Sequence, residues 1–261
     1  MKYQVERDFI VSEIARIYAK YAEHGIDDIT QKTQFDLVTN IDIGIEKELT
    51  ESILKKFKGD KIHGEETSNT QEIVGRTWTI DPIDGTCNMS GNLPLYGVQC
   101  ALIENGEIVF SVIYLPHFSE TMVAEKGCGC YLNGKRVQVK HNGTLNNALV
   151  SFGDYPHYKT PEVAQRQHAA IAYLFTKIAK IRMFGAACID FAFVAAGRTD
   201  GTVVITRNLW DIAPGILMCQ EAGAVITNLD GQPYKFGDNG VVASATKELS
   251  QLIATSFSLR K

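Results

Sequence analysis

Residues 78–89 read WTIDPIDGTCNM and change character twice within a dozen positions. Trp-Thr-Ile is a strand-forming lead-in. Asp81 and Asp84 follow on either side of Pro82, and then come Gly85 and Thr86. Carboxylates cluster at the end of a buried strand only where something neutralises them. Two such acids repel each other unless they share a cation. Pro82 fixes the backbone between them, Gly85 permits a tight turn, and Thr86 offers a hydroxyl beside the acids. An Asp-Gly-Thr turn leading into a helix adds backbone N–H donors for a phosphate. The stretch predicts strand, turn, helix, with a cation and an anion as guests.

On the N-terminal side, Ile10, Ile14, Ile17 and Tyr21 recur at helical steps and predict a helix over 4–22. Ile45, Leu49, Ile53 and Phe57 predict a second over 42–57, with Asp42 at its start. The residues between them read as a polar connector. On the C-terminal side, the short β-rich runs from about 96 to 140, punctuated by Asn-Gly turns, predict an antiparallel meander. After about 145, strands in NALVSF, KIRMF, GTVVIT and AVITNL alternate with helices over 161–178, 187–197, 211–222 and 246–256. Pro214 falls in the first turn of the 211–222 helix on this reading, and Gly223 caps its end. The expected fold mixes α+β and α/β. Its junction lies in 140–147, dividing an N-terminal half, 1–145, from a tightly fused C-terminal half, 146–261.

The chain of 261 residues is 45% hydrophobic and 21% charged, an ordinary globular composition. Its net charge is −4 and no basic run exceeds two residues, which argues against a nucleic-acid polymer as partner. The longest charge-free stretch, 86–103, contains Asn, Ser, Gly, Pro and Gln and is no membrane span. The N-terminus lacks a signal-like apolar core, so a cytoplasmic protein is expected. The six cysteines are then expected as free thiols, and the one-residue spacing of Cys128 and Cys130 suits neither zinc nor redox motifs.

Four acidic features stand at expected element ends: Asp42, Glu65 with Glu66, Asp81 with Asp84, and Asp211. Asp42 and Asp211 could each be a simple helix N-cap, and Glu65–Glu66 a solvated turn. Taken together they suit Mg²⁺, which sits between a few carboxylates and a substrate phosphate. Two such ions clamp the attacking and leaving oxygens of a phosphoryl transfer. A phosphatase using an aspartyl nucleophile needs Asp-x-Asp-Gly-Thr. The nucleophile's position is Pro82 here, so the spacing favours direct attack by water.

HGEET (63–67), WTIDPIDGT (78–86) and LWDIAPGILMCQEAGAVI (209–226) resemble the signatures of the inositol monophosphatase family, Mg²⁺-dependent and lithium-sensitive sugar-phosphate phosphatases. DLVTNID (36–42) and RMFGAACIDFAFVAAGRTDG (182–201) are similar to family segments in the same order. The resemblance implies a layered αβαβα sandwich, a homodimer, and two to three Mg²⁺ ions per site. It implies metal ligands at Glu65, Asp81, the Ile83 carbonyl, Asp84 and Asp211. It implies that Thr86, paired with Asp42, activates a metal-bound water, with Glu65 also counted as catalytic. Gly85 and Thr86 would hold the phosphate, beside Asp84 and Asp211, and Gly185, Ala186 and Ala187 would line the alcohol portion.

The chain departs from the family pattern at Cys87 and Met89. It also has Val204 where the animal inositol enzymes place a glutamate against inositol hydroxyls. Arg207 and Asn208 could contact a different alcohol, or be polar residues before a helix. The substrate is therefore expected to be a small polyol or sugar phosphate of the inositol 1-phosphate type. Histidinol phosphate, fructose 1,6-bisphosphate and 3′-phosphoadenosine nucleotides are the alternatives within the same chemistry. A catalytically inactive, metal-binding regulatory subunit is the alternative from another class, and an intact Thr86 and Asp42 weigh against it.

Overall fold

A computed structural model describes residues 2–24, 29–33, 36–67, 72–141, 143–154 and 161–258. In chain order the elements begin with α1 (Gln4–His24), β1 (Ile29–Thr33), β2 (Asp36–Thr39), α2 (Asn40–Lys56), β3 (Lys61–Gly64), β4 (Arg76–Asp84) and α3 (Thr86–Ser90). The meander follows as β5 (Gly97–Glu104), β6 (Glu107–Leu115), β7 (Glu120–Glu125), β8 (Gly129–Leu132) and β9 (Lys135–Val137). The chain continues with β10 (Leu149–Phe152), α4 (Pro161–Leu174), β11 (Lys180–Arg182), α5 (Ala187–Ala195) and β12 (Gly201–Val204). It closes with α6 (Leu209–Glu221), β13 (Val225–Thr227), β14 (Val241–Ser244) and α7 (Lys247–Ser258).

β3 to β9 form a seven-stranded sheet in sequence order, antiparallel except for the parallel pair β3–β4. The second sheet has five strands in the order β11-β10-β12-β14-β13, with β10 parallel to both its neighbours and β14 antiparallel to its own. Strand alternation sends residues to opposite faces. On β5, Val98, Cys100 and Leu102 pack with Ile10, Ile14 and Ile17 of α1 and Ile45, Leu49 and Ile53 of α2. Ala101 and Ile103 of the same strand pack with Ile189 and Phe191 of α5 and Ile212 and Ile216 of α6. Both faces are buried, which is why this strand reads as a continuous apolar run. Val241 and Ala243 of β14 join that central core, while Val242 turns the other way, toward Leu174 of α4 and Ile253 and Phe257 of α7. The layers are α1–α2, sheet, α5–α6, sheet, α4–α7: the expected αβαβα sandwich. In its middle layer a Cβ on Gly215 would lie 2.1 Å from Phe191 Cγ, so only glycine lets α5 and α6 approach this closely.

Several local expectations change. The polar connector contains an antiparallel hairpin, β1–β2, whose strand sequences, ITQKT and DLVT, lack the alternating apolar pattern that would signal them. Residues 25–28 and 34–35 of that connector lie outside the described residues. Asp42 is not an N-cap. Thr39 caps α2, accepting from the amides of Ile41 and Asp42, and the Asp42 carboxylate reaches back to the Thr39 amide in a capping box. β4 does not end at Asp81 but continues to Asp84 through a bulge against β5, which is where a proline is tolerated in a strand. α6 starts at Leu209, so Asp211 follows the cap position, Asn208, by three residues and Pro214 stands inside the helix. Gly223, with φ of 92°, follows the helix as expected. α4 ends at Leu174, short of 178, and β14 has no counterpart in the sequence expectation. All six cysteines are free thiols. No helix among the described residues is long and apolar enough to cross a membrane.

Candidate active site

The bulge that β4 makes at Pro82 turns Asp81 and Asp84 toward the start of α6, where Asp211 sits, and toward the end of β3, where Glu65 follows Gly64. Asp81 is buried, and Glu65, Asp84 and Asp211 are half-buried. Burial raises the proton affinity of the Asp81 carboxyl well above the ordinary range, and the charges of Glu65, Asp84 and Asp211 raise it further. Asp211 is raised likewise, by burial and then by Glu65 and Asp84. Asp84 is pushed up to about 6 by burial, opposed by the backbone N–H groups of Cys188 and Ala187. The four acids thus feel one another as a single cluster of negative charge.

Protein donors hold one side of that cluster. Gln99, on β5 directly across from Asp81, aims its Nε2 at Asp84 Oδ2 (3.1 Å), the Asp211 carbonyl (3.2 Å) and Asp81 Oδ2 (3.4 Å). The Cys188 amide, in the first turn of α5, donates to Asp84 Oδ2, and Thr206 Oγ1 donates to Asp211 Oδ2 at 3.2 Å. Asp81 Oδ1 is buried without a partner. A buried carboxylate oxygen with no donor, ringed by other carboxylates, is unfavourable unless a cation takes it. As they stand, no three Asp, Glu, His or Cys side chains among the described residues are gathered tightly enough to hold one ion. The donors on offer are nevertheless all oxygens: Glu65, Asp81, Asp84, Asp211 and the Ile83 carbonyl. That set fits a hard divalent cation and not a soft one.

The second part of the site is the turn after β4. Gly85 has φ of 95°, and a Cβ there would lie 2.9 Å from the Leu95 carbonyl and 3.0 Å from Ala186 Cβ. Only glycine fits, and the 185–187 segment is thereby brought against the turn. Asn88 secures that contact, with Nδ2 2.7 Å from both the Leu95 and Phe184 carbonyls. Thr86 opens α3, so the amides at its first turn have no intrahelical partner. Thr86 Oγ1 is 2.8 Å from Asp42 Oδ1 and 2.9 Å from the Ile83 carbonyl. Its single proton can serve one of them at a time. Asp42 is fully buried; burial raises its proton affinity, opposed by hydrogen bonds from Thr39 and Thr86.

The structure therefore brings Asp42, Glu65, Asp81, Ile83, Asp84, Gly85, Thr86, Gly185, Ala186, Ala187 and Asp211 to one region. Arg207 and Asn208 are exposed at the start of α6, and Val204 is buried at the end of β12. Sequence reasoning missed Gln99, Cys188 and Thr206. Gln99 had a visible signal, a lone amide inside the apolar run YGVQCALI. Cys188 reaches the Asp84 carboxylate through its backbone amide, with its Sγ 3.8 Å from the Asp84 carbonyl, and had none.

The whole of this chain, residues 2–260, matches the model of the inositol monophosphatase family. It is 36% identical over 208 residues to a fructose-1,6-bisphosphatase/inositol-1-monophosphatase of Thermotoga maritima, covering 79% of this chain and 77% of that one. It is 32% identical over 229 residues to the Nus factor SuhB of Salmonella typhimurium, covering 86% and 84%. Among solved structures, the Thermotoga maritima IMPase superposes with a TM-score of 0.87 at 30% identity, over 98% of this chain and 99% of that one. With its five layers, its acid cluster and these similarities together, the chain belongs to the inositol monophosphatase family and is a phosphatase.

Proposed function

We propose that this phosphatase is a Mg²⁺-dependent phosphomonoesterase of small polyol or sugar phosphates, of the inositol 1-phosphate type, and that water attacks phosphorus directly. The observation that carries the reading is Asp81 Oδ1, a buried orphan oxygen amid three further acids, beside the Thr86–Asp42 pair. Glu65, Asp81, the Ile83 carbonyl, Asp84 and Asp211 would hold two to three ions. When bound, Mg²⁺ supplies Lewis-acid polarisation of phosphoryl oxygens and a lowered pKa for water.

The chain's own residues do the rest. When Thr86 gives its hydrogen bond to Asp42, its oxygen is free to accept the proton of the attacking water, and Asp42 takes the relayed proton. As the water oxygen bonds phosphorus, the P–O bond to the alcohol breaks and the alkoxide takes a proton from solvent. Asp42, raised in proton affinity, suits that relay at neutral pH better than an exposed aspartate. The amides of Gly85 and Thr86 bind phosphate oxygens at the helix start. Gly185, Ala186 and Ala187 face the alcohol. They offer little side chain, which favours a range of polyol and sugar leaving groups rather than inositol alone. The test is a phosphate-release panel over inositol 1-phosphate, fructose 1,6-bisphosphate, histidinol phosphate and 3′-phosphoadenosine nucleotides. The polyol and sugar phosphates are expected to lead, and a preference for the nucleotides would overturn the substrate assignment.

The same reading carries lithium sensitivity, a cytoplasmic setting in which six free thiols persist, and a division into fused halves at 145/146. A homodimer is supported by exposed Phe118, part of the Phe118–Phe193–Phe184 ring cluster, and by exposed Met183 next to Phe184 in sequence. A second reading, a non-catalytic partner role, takes its support from the SuhB relative's name. Purified protein that binds Mg²⁺ yet releases no phosphate from any ester would favour it.

A further inference from the structure

Glu46 lies one helical turn beyond Asp42 on α2 and is fully buried. Its Oε2 accepts the Glu66 amide at 2.8 Å. Its Oε1 accepts the Thr67 amide at 2.5 Å and the Thr67 hydroxyl at 2.6 Å. A buried carboxylate is costly unless donors satisfy it, and here a single turn supplies three. That turn begins with Glu65, whose own amide donates to the Ile80 carbonyl at 3.2 Å. Glu65 is thus clamped from both sides, by β4 at the residue before Asp81 and by Glu46 through the next two residues. Gly64 leaves the room for it: a Cβ there would lie 2.3 Å from Glu46 Oε1. One helix therefore sets two sides of the acid cluster, through Asp42 on Thr86 and through Glu46 on the Glu65 turn.

We propose that Glu46 is a positioning residue for Mg²⁺ binding, fixing Glu65 in place through the Glu65–Thr67 turn while touching neither ion nor substrate. The proposal rests on the Mg²⁺ reading of Glu65. Two oxygens are needed to take three donors, so Gln, with one acceptor oxygen, must release at least one of them. Partners that orient a metal ligand typically change metal affinity 10- to 100-fold when removed.

The test uses the full chain with Glu46→Gln and, as a milder variant on the surface side of the same contact, Thr67→Val. Three quantities are measured: Mg²⁺ binding by calorimetry, the Mg²⁺ dependence of phosphate release, and amide hydrogen exchange of 64–67 in EDTA. Glu46→Gln is expected to raise the Mg²⁺ midpoint about 10-fold, with kcat at saturating Mg²⁺ changed by no more than about twofold. Thr67→Val is expected to move the midpoint in the same direction by about threefold. In both variants the Glu66 and Thr67 amides exchange faster while the α2 amides do not. An unmoved Mg²⁺ midpoint in the face of faster exchange overturns the proposal, as does a fall in kcat at an unchanged midpoint. If Glu46→Gln does not fold, Thr67→Val decides by the same criteria. Wild-type protein that binds no Mg²⁺ sinks the metal reading and this proposal with it, whereas wild-type binding with unaltered variants sinks this proposal alone.

Discussion

Replacing Asp84 by asparagine should stabilise the cation-free protein at alkaline pH while removing its response to Mg²⁺. Burial raises this carboxyl from an ordinary value of 3.8 to about 6. Between those pH values the folded protein keeps a proton that the unfolded chain has released. Stability therefore falls as pH climbs through the window, and the loss is complete above it. A rise of that size corresponds to about 3 kcal/mol. Asparagine removes the charge but can present its Oδ1 where Asp84 Oδ2 accepts from Cys188 and Gln99. That figure is already net of the hydrogen bonds from Cys188 and Ala187, which oppose the rise, so a gain of about 3 kcal/mol is expected. For a chain of this size that is a rise in Tm of roughly 5 °C. The assay is thermal unfolding of wild type and Asp84→Asn in EDTA at pH 8 and pH 5, then with saturating Mg²⁺ at pH 8. The gap between the proteins should be large at pH 8 and shrink at pH 5, where the wild-type carboxyl is protonated. Wild type should gain about 2.7 kcal/mol at Mg²⁺ a hundred times its Kd, and the variant little. A variant that melts below wild type in EDTA at pH 8, or a gap that ignores pH, would refute the reasoning.

Thr86→Val removes the hydroxyl that links water to Asp42, so kcat should drop about 10²- to 10⁴-fold while calorimetric Mg²⁺ binding survives. Gly215→Ala drives a Cβ into Phe191 between α5 and α6; chemical denaturation should report a loss of about 1–3 kcal/mol. Gly85→Ala combines a forbidden φ with a clash against the Leu95 carbonyl, and should raise the KM for phosphate esters more than it shifts the Mg²⁺ midpoint.

Much of this site was legible because its chemistry sits in short, local words. Asp81, Asp84, Gly85 and Thr86 are neighbours in sequence and remain neighbours in space, so their spacing alone argued against an aspartyl nucleophile. The strands of the meander were legible from β-branched runs and Asn-Gly turns. What stayed hidden depends on packing. The β1–β2 hairpin is held by backbone pairing, and its strand sequences, ITQKT and DLVT, carry no alternating apolar pattern. Asp42 looked like a cap because a carboxylate at a helix start usually is one, yet Thr39 three residues earlier satisfies the amides instead. Pro214 looked like a first-turn residue because proline breaks helix interiors, but the helix begins before it. Gln99 and Glu46 are single polar residues on apolar faces, and only the fold reveals that Gln99 lies beneath three aspartates and Glu46 against the Glu65 turn.

The central claim is that oxygen ligands at Asp81, Asp84 and Asp211 gather Mg²⁺ so that water attacks a phosphate ester directly. Single-turnover hydrolysis of inositol 1-phosphate by the purified chain in ¹⁸O-labelled water, with Mg²⁺ and with EDTA, tests it most directly. The account predicts phosphate carrying one ¹⁸O, formed only with Mg²⁺ and with no phosphoenzyme trapped on acid quench. Turnover undiminished in EDTA, or an acid-stable phosphoaspartate on the chain, would contradict it.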